Sequence, residues 1–216
     1  MSRKRAFDRD TVLEIALLEF WRHGYEAASI ASLTAAMGIR PPSLYAAFGD
    51  KRRLFEEVVE RYRRYDFSSR ALAEEPTARA AISRMLREAA VNYTDPGHPP
   101  GCLIFSAAVN VGPESADVRE AMRGIREAAK AAVTARIASD VAAGLLPEGT
   151  DAEALALFYA ATVQGMSTQA RDGATRRDLE RIADLAMLAW PGKREGTPGG
   201  HPPTRRDTPD EHSPVR

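Results

Sequence analysis

The stretch that decides the fold is residues 24–51, which read GYEAASIASLTAAMGIRPPSLYAAFGDK. Ser29 is a suitable N-cap for a short helix, and Gly38 suits the left-handed conformation that ends it. Pro41 and Pro42 follow closely, and proline fits a first helical turn because its missing N–H would have no partner there. The stretch therefore predicts two short helices joined by a tight turn.

This spacing is typical of a helix-turn-helix at about residues 29–48, whose second helix enters the DNA major groove. Outward from it, helical periodicity recurs along the chain and no strand-like alternation is convincing, so the sequence predicts an all-α fold with about nine helices. The predicted helices are Asp8–His23, Ser29–Met37, Pro41–Phe48, Lys51–Ala73, Thr77–Tyr93, Cys102–Asn110, Ser115–Gly144, Asp151–Arg171 and Thr175–Trp190.

Three regions are predicted from these patterns. Residues 1–65 form a three-helix helix-turn-helix domain and its connection, and they carry 12 Lys and Arg against 9 Asp and Glu. Residues 66–190, with 13 basic against 17 acidic side chains, form a C-terminal helical domain. Residues 191–216 have no apolar face, and ten of them are Pro or Gly, so we expect a disordered tail.

The order of residues in the first region resembles the TetR/AcrR family of transcriptional regulators. The resemblance covers roughly residues 9–65 without a gap. It is carried by Gly-Tyr before the capping serine, Met-Gly-Ile in the turn, Leu-Tyr-Ala-Ala-Phe in the second helix, and Lys followed by Leu-Phe in the next helix. It implies a ligand-responsive regulator, a repressor by the family's default, that binds a palindromic operator as a homodimer.

Two departures from the family pattern stand out. Glu19 occupies a position that is usually apolar, which predicts that it lies near the domain core and needs a partner. Ala46 and Ala47 replace bulkier or polar residues in the second helix, which leaves few side chains there to read bases.

We assign DNA-binding roles to individual side chains as hypotheses, of which those of Tyr45 and Lys51 follow from the resemblance. The alternatives are that Ser29 is only a cap, Arg40 a plain surface residue and Tyr45 a half-buried aromatic side chain. Ser29 caps its helix and lies where a helix N-terminus favours a phosphate. Arg40 is placed to bond guanine or a phosphate, and Tyr45 and Lys51 to contact the DNA backbone. The remaining expected contacts are Pro41 and Pro42 with thymine methyl groups, Ser43 with a base or phosphate, and Arg3, Lys4 and Arg5 with the minor groove. Leu33, Leu44 and Phe48 are predicted to be core residues.

The resemblance also implies a dimer interface and a pocket for a small-molecule effector in the C-terminal domain. In the expected interface, the last two helices pair with those of a second copy, through Leu155, Phe158, Thr162, Gly165, Leu179, Ile182, Ala186 and Trp190. The other interpretation is that these same residues form a face buried inside a single chain. The candidate pocket residues are Met85, Tyr93, Cys102, Phe105, Asn110, Met122, Tyr159 and Gln164, each of which also suits ordinary core packing. Asn110 and Gln164 are the stronger indications of a pocket, because polar groups inside a core need hydrogen-bond partners.

Cys102, the single cysteine, supports an alternative hypothesis. It follows Pro99-Pro100-Gly101 at a predicted helix N-terminus, a position that lowers a thiol pKa and favours the reactive thiolate. Some proteins that resemble this arrangement sense electrophiles, oxidants or metals. A redox- or electrophile-sensing repressor is therefore one alternative, and a small buried residue is the simpler interpretation.

Other classes of protein find no support in the sequence. The four histidines form no apparent catalytic cluster, and no phosphate-binding glycine loop or His-Glu-x-x-His motif occurs, so we expect neither an enzyme nor a bound cofactor. One cysteine excludes a cysteine-based metal site. No apolar run approaches the roughly 20 residues that span a bilayer, and no signal peptide is apparent, so we expect a cytoplasmic protein. A helical binding module without DNA activity is the other alternative.

Overall fold

The computed structural model describes residues 7–64 and 66–192, and all regular structure in these ranges is helical. The expected arm at Arg3–Arg5 and almost all of the expected tail lie outside them. The helices are α1 (Arg9–Ala27), α2 (Ile30–Met37), α3 (Pro41–Phe48), α4 (Lys51–Arg63), α5 (Phe67–Glu74), α6 (Ala78–Tyr93), α7 (Leu103–Ser106), α8 (Ala116–Ala142), α9 (Ala152–Arg171) and α10 (Arg176–Met187).

The all-α prediction is confirmed, and two of the predicted helices are wrong in extent. The predicted fourth helix is divided into α4 and α5, because the Asp66 side chain accepts hydrogen bonds from the backbone N–H groups of Ser68 and Ser69 and starts a new helix. The predicted helix Cys102–Asn110 contains only the four residues of α7. Nine of the ten α-helices in the described ranges have eight residues or more, and one turn of 3-10 helix, Pro113–Ser115, precedes α8.

Gly24 ends the first straight segment of α1, as its position in the sequence predicts. Its φ of 78° and ψ of 169° are not helical, although the helix assignment continues to Ala27. The break frees the N–H of Tyr25, which donates a hydrogen bond over 2.7 Å to the carbonyl oxygen of Ala107, just after α7. A side chain at Gly24 would also approach that carbonyl. The N-terminal helices are thus joined to the C-terminal domain at this point.

Helices α1–α4 form a small domain around buried apolar side chains. Leu33, Leu44 and Phe48 are buried, as predicted, and they belong to the same apolar core as Phe20 and Phe55, whose rings meet edge to face at 5.0 Å. Burying such side chains stabilises the domain by about 1.5–3 kcal/mol each. Because Leu44 and Phe48 anchor α3 from one side, the other side of this helix faces solvent. We call α1–α4 the head.

Glu19 is partly buried at the surface of the head, and it has the partners that its position requires. Its carboxylate accepts a hydrogen bond from Arg22 at 3.0 Å and lies 3.7 Å from the Nε2 atom of His23.

The C-terminal domain is built on α6, which packs against α5, α9 and α10, while α8 lies across α9. Among the described helices, none is both long enough and apolar enough to cross a membrane.

Candidate nucleic-acid interface and effector domain

The turn between α2 and α3 places α3 on the surface of the head. Gly38 adopts the left-handed conformation with φ 66°, and the N–H of Ile39 donates back to the carbonyl of Thr34 over 3.1 Å. Arg40 precedes α3 as its N-cap residue without a side-chain capping bond.

Most of the predicted DNA contacts lie on this exposed side of the head. Arg40, Pro41, Pro42 and Tyr45 are exposed, and Ser43 is half-buried. Tyr45 is a large aromatic side chain with 49% of its surface accessible, on a helix of which two other side chains form the core. A side chain must be exposed to contact DNA, and these side chains meet that requirement. The DNA contact expected of each one stays a prediction.

Ser29 caps α2 as predicted, and Ser32 assists it, which the sequence interpretation missed. The Ser29 Oγ accepts a hydrogen bond from the Ser32 N–H at 3.0 Å, and the Ser32 hydroxyl donates to the Ser29 carbonyl at 2.9 Å. Both residues are exposed, so two hydroxyl groups lie at the N-terminus of α2, where partial positive charge attracts anions. The spacing of Ser29 and Ser32 in the sequence could have indicated this second hydroxyl group.

Lys51 lies at the start of α4, beside the end of α1. Its Nζ donates to the carbonyl oxygen of Glu26 at 3.3 Å and stands 4.4 Å from the centre of the Tyr25 ring. Burial lowers the pKa of Lys51. Arg53, two residues further on, is 73% exposed at its side chain and lies against Gly49 at the end of α3. Arg53 is thus a second cation near α3 that the sequence interpretation did not include.

Cys102 lies at the N-terminus of α7 as predicted, and it is the small buried residue of the simpler interpretation, whereas the lowered thiol pKa is not found. The thiol is buried, the residue caps a helix of only four residues, and burial raises the pKa of the thiol. The Tyr62 hydroxyl donates to its Sγ atom at 3.3 Å, and hydrogen bonds to the sulfur lower a thiol pKa. The prediction of a lowered pKa is wrong because the loss of solvation outweighs these hydrogen bonds and the single helical turn.

The other predicted pocket residues fall into different environments. Asn110 and Gln164 are exposed, so the argument that they are polar groups in need of buried partners is wrong. Tyr159 is buried between α9 and α10, where its hydroxyl donates to the Ala186 carbonyl at 3.1 Å. Those that remain as candidates are Met85 and Tyr93 on α6, Cys102 and the half-buried Phe105 at α7, and Met122 on α8.

Two open grooves lie on the surface of the C-terminal domain, and none of the predicted pocket residues lines either. The larger, of about 470 Å³, lies between the loop that follows α6 and the turn before α10, and it includes His98 and Arg176. The smaller, of about 350 Å³, lies between α6 and α10. Among the described residues, no three His, Cys, Asp or Glu side chains are grouped as a metal site.

The predicted dimer residues divide between an inner and an outer side of the last two helices. Leu179, Ala186 and Trp190 are buried within the single chain, so they are removed from the predicted interface. Leu155, Thr162 and Ile182 are half-buried, and Phe158 and Gly165 are exposed. The sequence interpretation missed the apolar side chains on the outer side, which are Leu157 (58% exposed), Leu185 (67%) and Leu188 (79%).

A helix-turn-helix head joined to a larger helical domain defines the class of DNA-binding transcriptional regulators. Two family models match the chain, one described as bacterial regulatory proteins of the tetR family over residues 12–58 and one as a tetracyclin repressor-like C-terminal domain over residues 78–185. The protein belongs to the TetR family of transcriptional regulators.

Individual relatives agree with both matches. The transcriptional repressor ComR of Escherichia coli is 33% identical over 88% of this chain and 91% of its own length. A cysteine mutant of the regulator CifR, solved with 26-bp double-strand operator DNA, is 42% identical, with a TM-score of 0.84 over 88% of this chain and all of that one. A putative TetR regulator from Rhodococcus sp. RHA1 is 39% identical, with a TM-score of 0.57 over 85% of this chain and 99% of that one.

Proposed function

We propose that this protein is a repressor that binds a palindromic operator as a homodimer and releases it when a small-molecule effector binds. The observation that carries the proposal is the exposed side of α3, held outward by the buried Leu44 and Phe48. Support comes from CifR, whose structure contains operator DNA, and from ComR and BdcR of E. coli, which are both named as transcriptional repressors. Such a regulator has no catalytic role, and it acts in the cytoplasm, where operator DNA is found.

In the proposed complex, phosphate contacts come from both edges of the exposed surface. The hydroxyls of Ser29 and Ser32 meet one phosphate at the N-terminus of α2, and Lys51 and Tyr45 bond the backbone nearby. Arg40 is the residue best suited to sequence recognition, because a guanidinium bonds the O6 and N7 atoms of guanine in pairs.

Base recognition in the rest of α3 is proposed to depend on small side chains. Pro41 and Pro42 touch thymine methyl groups, and Ser43 bonds a base edge or phosphate. Ala46 is exposed and adds only a methyl group. Because few polar side chains face the groove, the shape of the operator contributes much of the specificity.

Dimerisation is proposed to occur through the outer side of α9 and α10, which we call the outer apolar face and define by Leu157, Phe158, Leu185 and Leu188. An apolar patch of this kind on a soluble domain marks an interaction site. Gly165 lies on the same side of α9, and a Cβ atom there would meet nothing within 4 Å in the chain, so a second helix can approach closely. The partner is a second copy, since two heads are needed to read a palindrome.

Release by an effector requires that the ligand prefer a conformation whose heads do not fit the operator. The remaining candidates for its pocket lie on α6, at α7 and on α8, and α8 packs against both α6 and α7. The alternative in which Cys102 reacts with an electrophile finds less support, because burial raises the pKa of the thiol and disfavours the thiolate that would react. If Cys102→Ser retains operator release by an oxidant, that alternative is excluded.

The first experiment is a fluorescence anisotropy titration with the intergenic DNA beside the protein's own coding sequence. We expect saturable binding that weakens steeply with salt, because phosphate contacts release counterions. Arg40→Ala should weaken it about ten-fold. Arg22→Ala is the matched control, since Arg22 is an exposed arginine of the same head that pairs with Glu19. Equal losses in both variants, or no binding by the wild type to any duplex, would favour a helical module without DNA activity.

A second experiment tests the dimer by light scattering during gel filtration. Leu185→Glu should shift the protein to a monomer, because a carboxylate in an apolar interface would lose its hydration. Val109→Glu places the same charge at another exposed apolar side chain, in the loop after α7, and should leave the dimer intact. A monomeric wild-type protein at working concentrations would contradict the proposal.

A further inference from the structure

Gly101 and Cys102 form a junction at which three helices of different parts of the molecule meet. The Cys102 N–H donates to the Ser167 hydroxyl of α9 at 2.9 Å, and both atoms are buried. The Cys102 Sγ accepts a hydrogen bond from Tyr62 of α4 at 3.3 Å, and the Gly101 N–H donates to the carbonyl oxygen of Tyr93 of α6 at 3.0 Å. One residue therefore connects α9, which carries part of the outer apolar face, with α4 of the head.

A second connection runs beside the first. The ring of Trp21 on α1 meets the ring of Tyr62 edge to face, with 4.9 Å between their centres. The carbonyl of Trp21 accepts a hydrogen bond from the Arg171 guanidinium of α9 at 3.5 Å. Tyr62 thus contacts both the head helix α1 and the junction, and it lies in the last turn of α4.

The opposite end of α4 is held separately. Arg52, the second residue of α4, forms an ion pair with Asp117 in the first turn of α8. Close to it, the Tyr25 N–H bonds the Ala107 carbonyl. Contacts to the C-terminal domain therefore hold α4 at both of its ends.

We propose that Tyr62 is a positioning residue that transmits the placement of α9 to α4 through its hydrogen bond to Cys102, and so sets the placement of the head. The inference rests on the proposed function, because the placement of the heads matters only if two of them bind one operator. Its physical basis is that α4 is the last helix of the head and follows α3 directly, with Asp50 capping α4 two residues beyond the end of α3. A tilt of α4 therefore moves the recognition helix with it.

The variant Tyr62→Phe tests this inference because it keeps the ring against Trp21 and removes only the hydroxyl. We expect operator binding to weaken about five-fold, which corresponds to the loss of one ordinary hydrogen bond. We also expect faster amide hydrogen exchange in residues 51–63 of the protein without DNA. Ser106→Ala is the matched control, since its hydroxyl donates to the Cys102 carbonyl at 2.9 Å from within the C-terminal domain and makes no link to α4.

A double-mutant cycle with Cys102→Ala identifies the bond itself. If the bond transmits the placement, Tyr62→Phe and Cys102→Ala should weaken operator binding by similar factors, and the double variant should be no weaker than either. The inference would be overturned if the losses of operator affinity in the two single variants multiplied in the double variant. It would also be overturned if amide exchange in residues 51–63 were the same in Tyr62→Phe as in Ser106→Ala. If the wild type binds no operator, the proposed function fails, and hydrogen exchange still decides whether Tyr62 holds α4.

Discussion

The buried carboxylate of Asp140 on α8 accepts a hydrogen bond over 2.6 Å from the backbone N–H of Ala78, the first residue of α6. The neighbouring Arg136, whose Nε lies 3.6 Å from the same carboxylate, donates to the carbonyls of Leu72 and Glu75 in and after α5. Two side chains of α8 thus hold the turn between α5 and α6, which are close in sequence to each other and remote from α8.

We predict that Asp140→Ala lowers the free energy of unfolding by about 2–3 kcal/mol, because it leaves a buried N–H without a partner and the half-buried Arg136 without its carboxylate. Urea denaturation followed by circular dichroism measures this loss. Ser139→Ala, at the exposed neighbouring position, should change the free energy by less than about 0.5 kcal/mol. Equal effects in the two variants would show that the carboxylate is not structural.

The close approach of Gly101 to α9 predicts a large effect of a single methyl group. Gly101 has φ +83°, and a Cβ atom there would lie 2.7 Å from the Ser167 carbonyl oxygen and 2.9 Å from its hydroxyl. Gly101→Ala should therefore destabilise the protein by at least about 2 kcal/mol, the sum of backbone strain and overlap. Gly144→Ala is the control, since Gly144 has φ +70° and open space around it. Equal melting temperatures for the two variants would contradict the overlap.

Tyr45→Phe separates DNA binding from folding. The Tyr45 ring is about half exposed, so removal of its hydroxyl should leave the unfolding free energy within about 0.5 kcal/mol of the wild type. If the hydroxyl bonds a phosphate, operator affinity should fall about five-fold at every operator sequence that the protein binds, because backbone contacts carry no sequence information. A loss confined to one operator variant would instead assign Tyr45 to base recognition.

The junction at Cys102 predicts a dependence of stability on alkaline pH. Burial raises the pKa of Cys102 above its ordinary 9.0 and those of Tyr62 and Tyr93 well above 10.0, so the folded protein keeps these protons at a pH where the unfolded chain releases them. Their contribution is complete below about pH 9 and is lost as the pH rises through the folded pKa values. The unfolding free energy should therefore fall above pH 9.

The variant Cys102→Ala identifies the thiol's share of this fall. Without the thiol, the decline should begin only where the tyrosines ionise in the unfolded chain, near pH 10, whereas Ser106→Ala should keep the wild-type profile. Urea denaturation at pH 8, 9, 10 and 10.5 makes the comparison. If the wild type and Cys102→Ala have parallel profiles from pH 8 to 10, burial of the thiol does not affect stability.

Local signals along the chain predicted the head well. Ser29 and Gly38 bound α2, Asp50 caps α4, and Gly24 breaks α1, and each of these effects depends on a residue and its near neighbours in sequence. Capping and left-handed glycine are properties of a few consecutive residues, so they can be recognised without a structure. The prediction of Leu33, Leu44 and Phe48 as core succeeded for a related reason, since helical spacing indicates which side chains share a face.

The C-terminal domain was predicted less well, because the buried side of a helix depends on what packs against it. On α10, Leu179 and Ala186 are apolar and so is Leu185, yet the first two are buried and Leu185 is 67% exposed. Periodicity identifies such stripes but does not say which of them faces α6 and which faces outward. Asn110 and Gln164 illustrate the same difficulty, since nothing in the neighbouring residues indicated that both are exposed.

By itself, the sequence determined the helical class, the helix-turn-helix and the ends of most helices, since these depend on backbone preferences and on spacings of three or four residues. Only the tertiary structure decided the state of the Cys102 thiol, the end of α4 and the outer apolar face. Each of these depends on contacts between residues far apart in the chain, as between Tyr62 and Cys102 or between Ala78 and Asp140. Burial, and the electrostatic effects that follow from it, depend on such long-range contacts. They cannot be read from a few consecutive residues of the sequence.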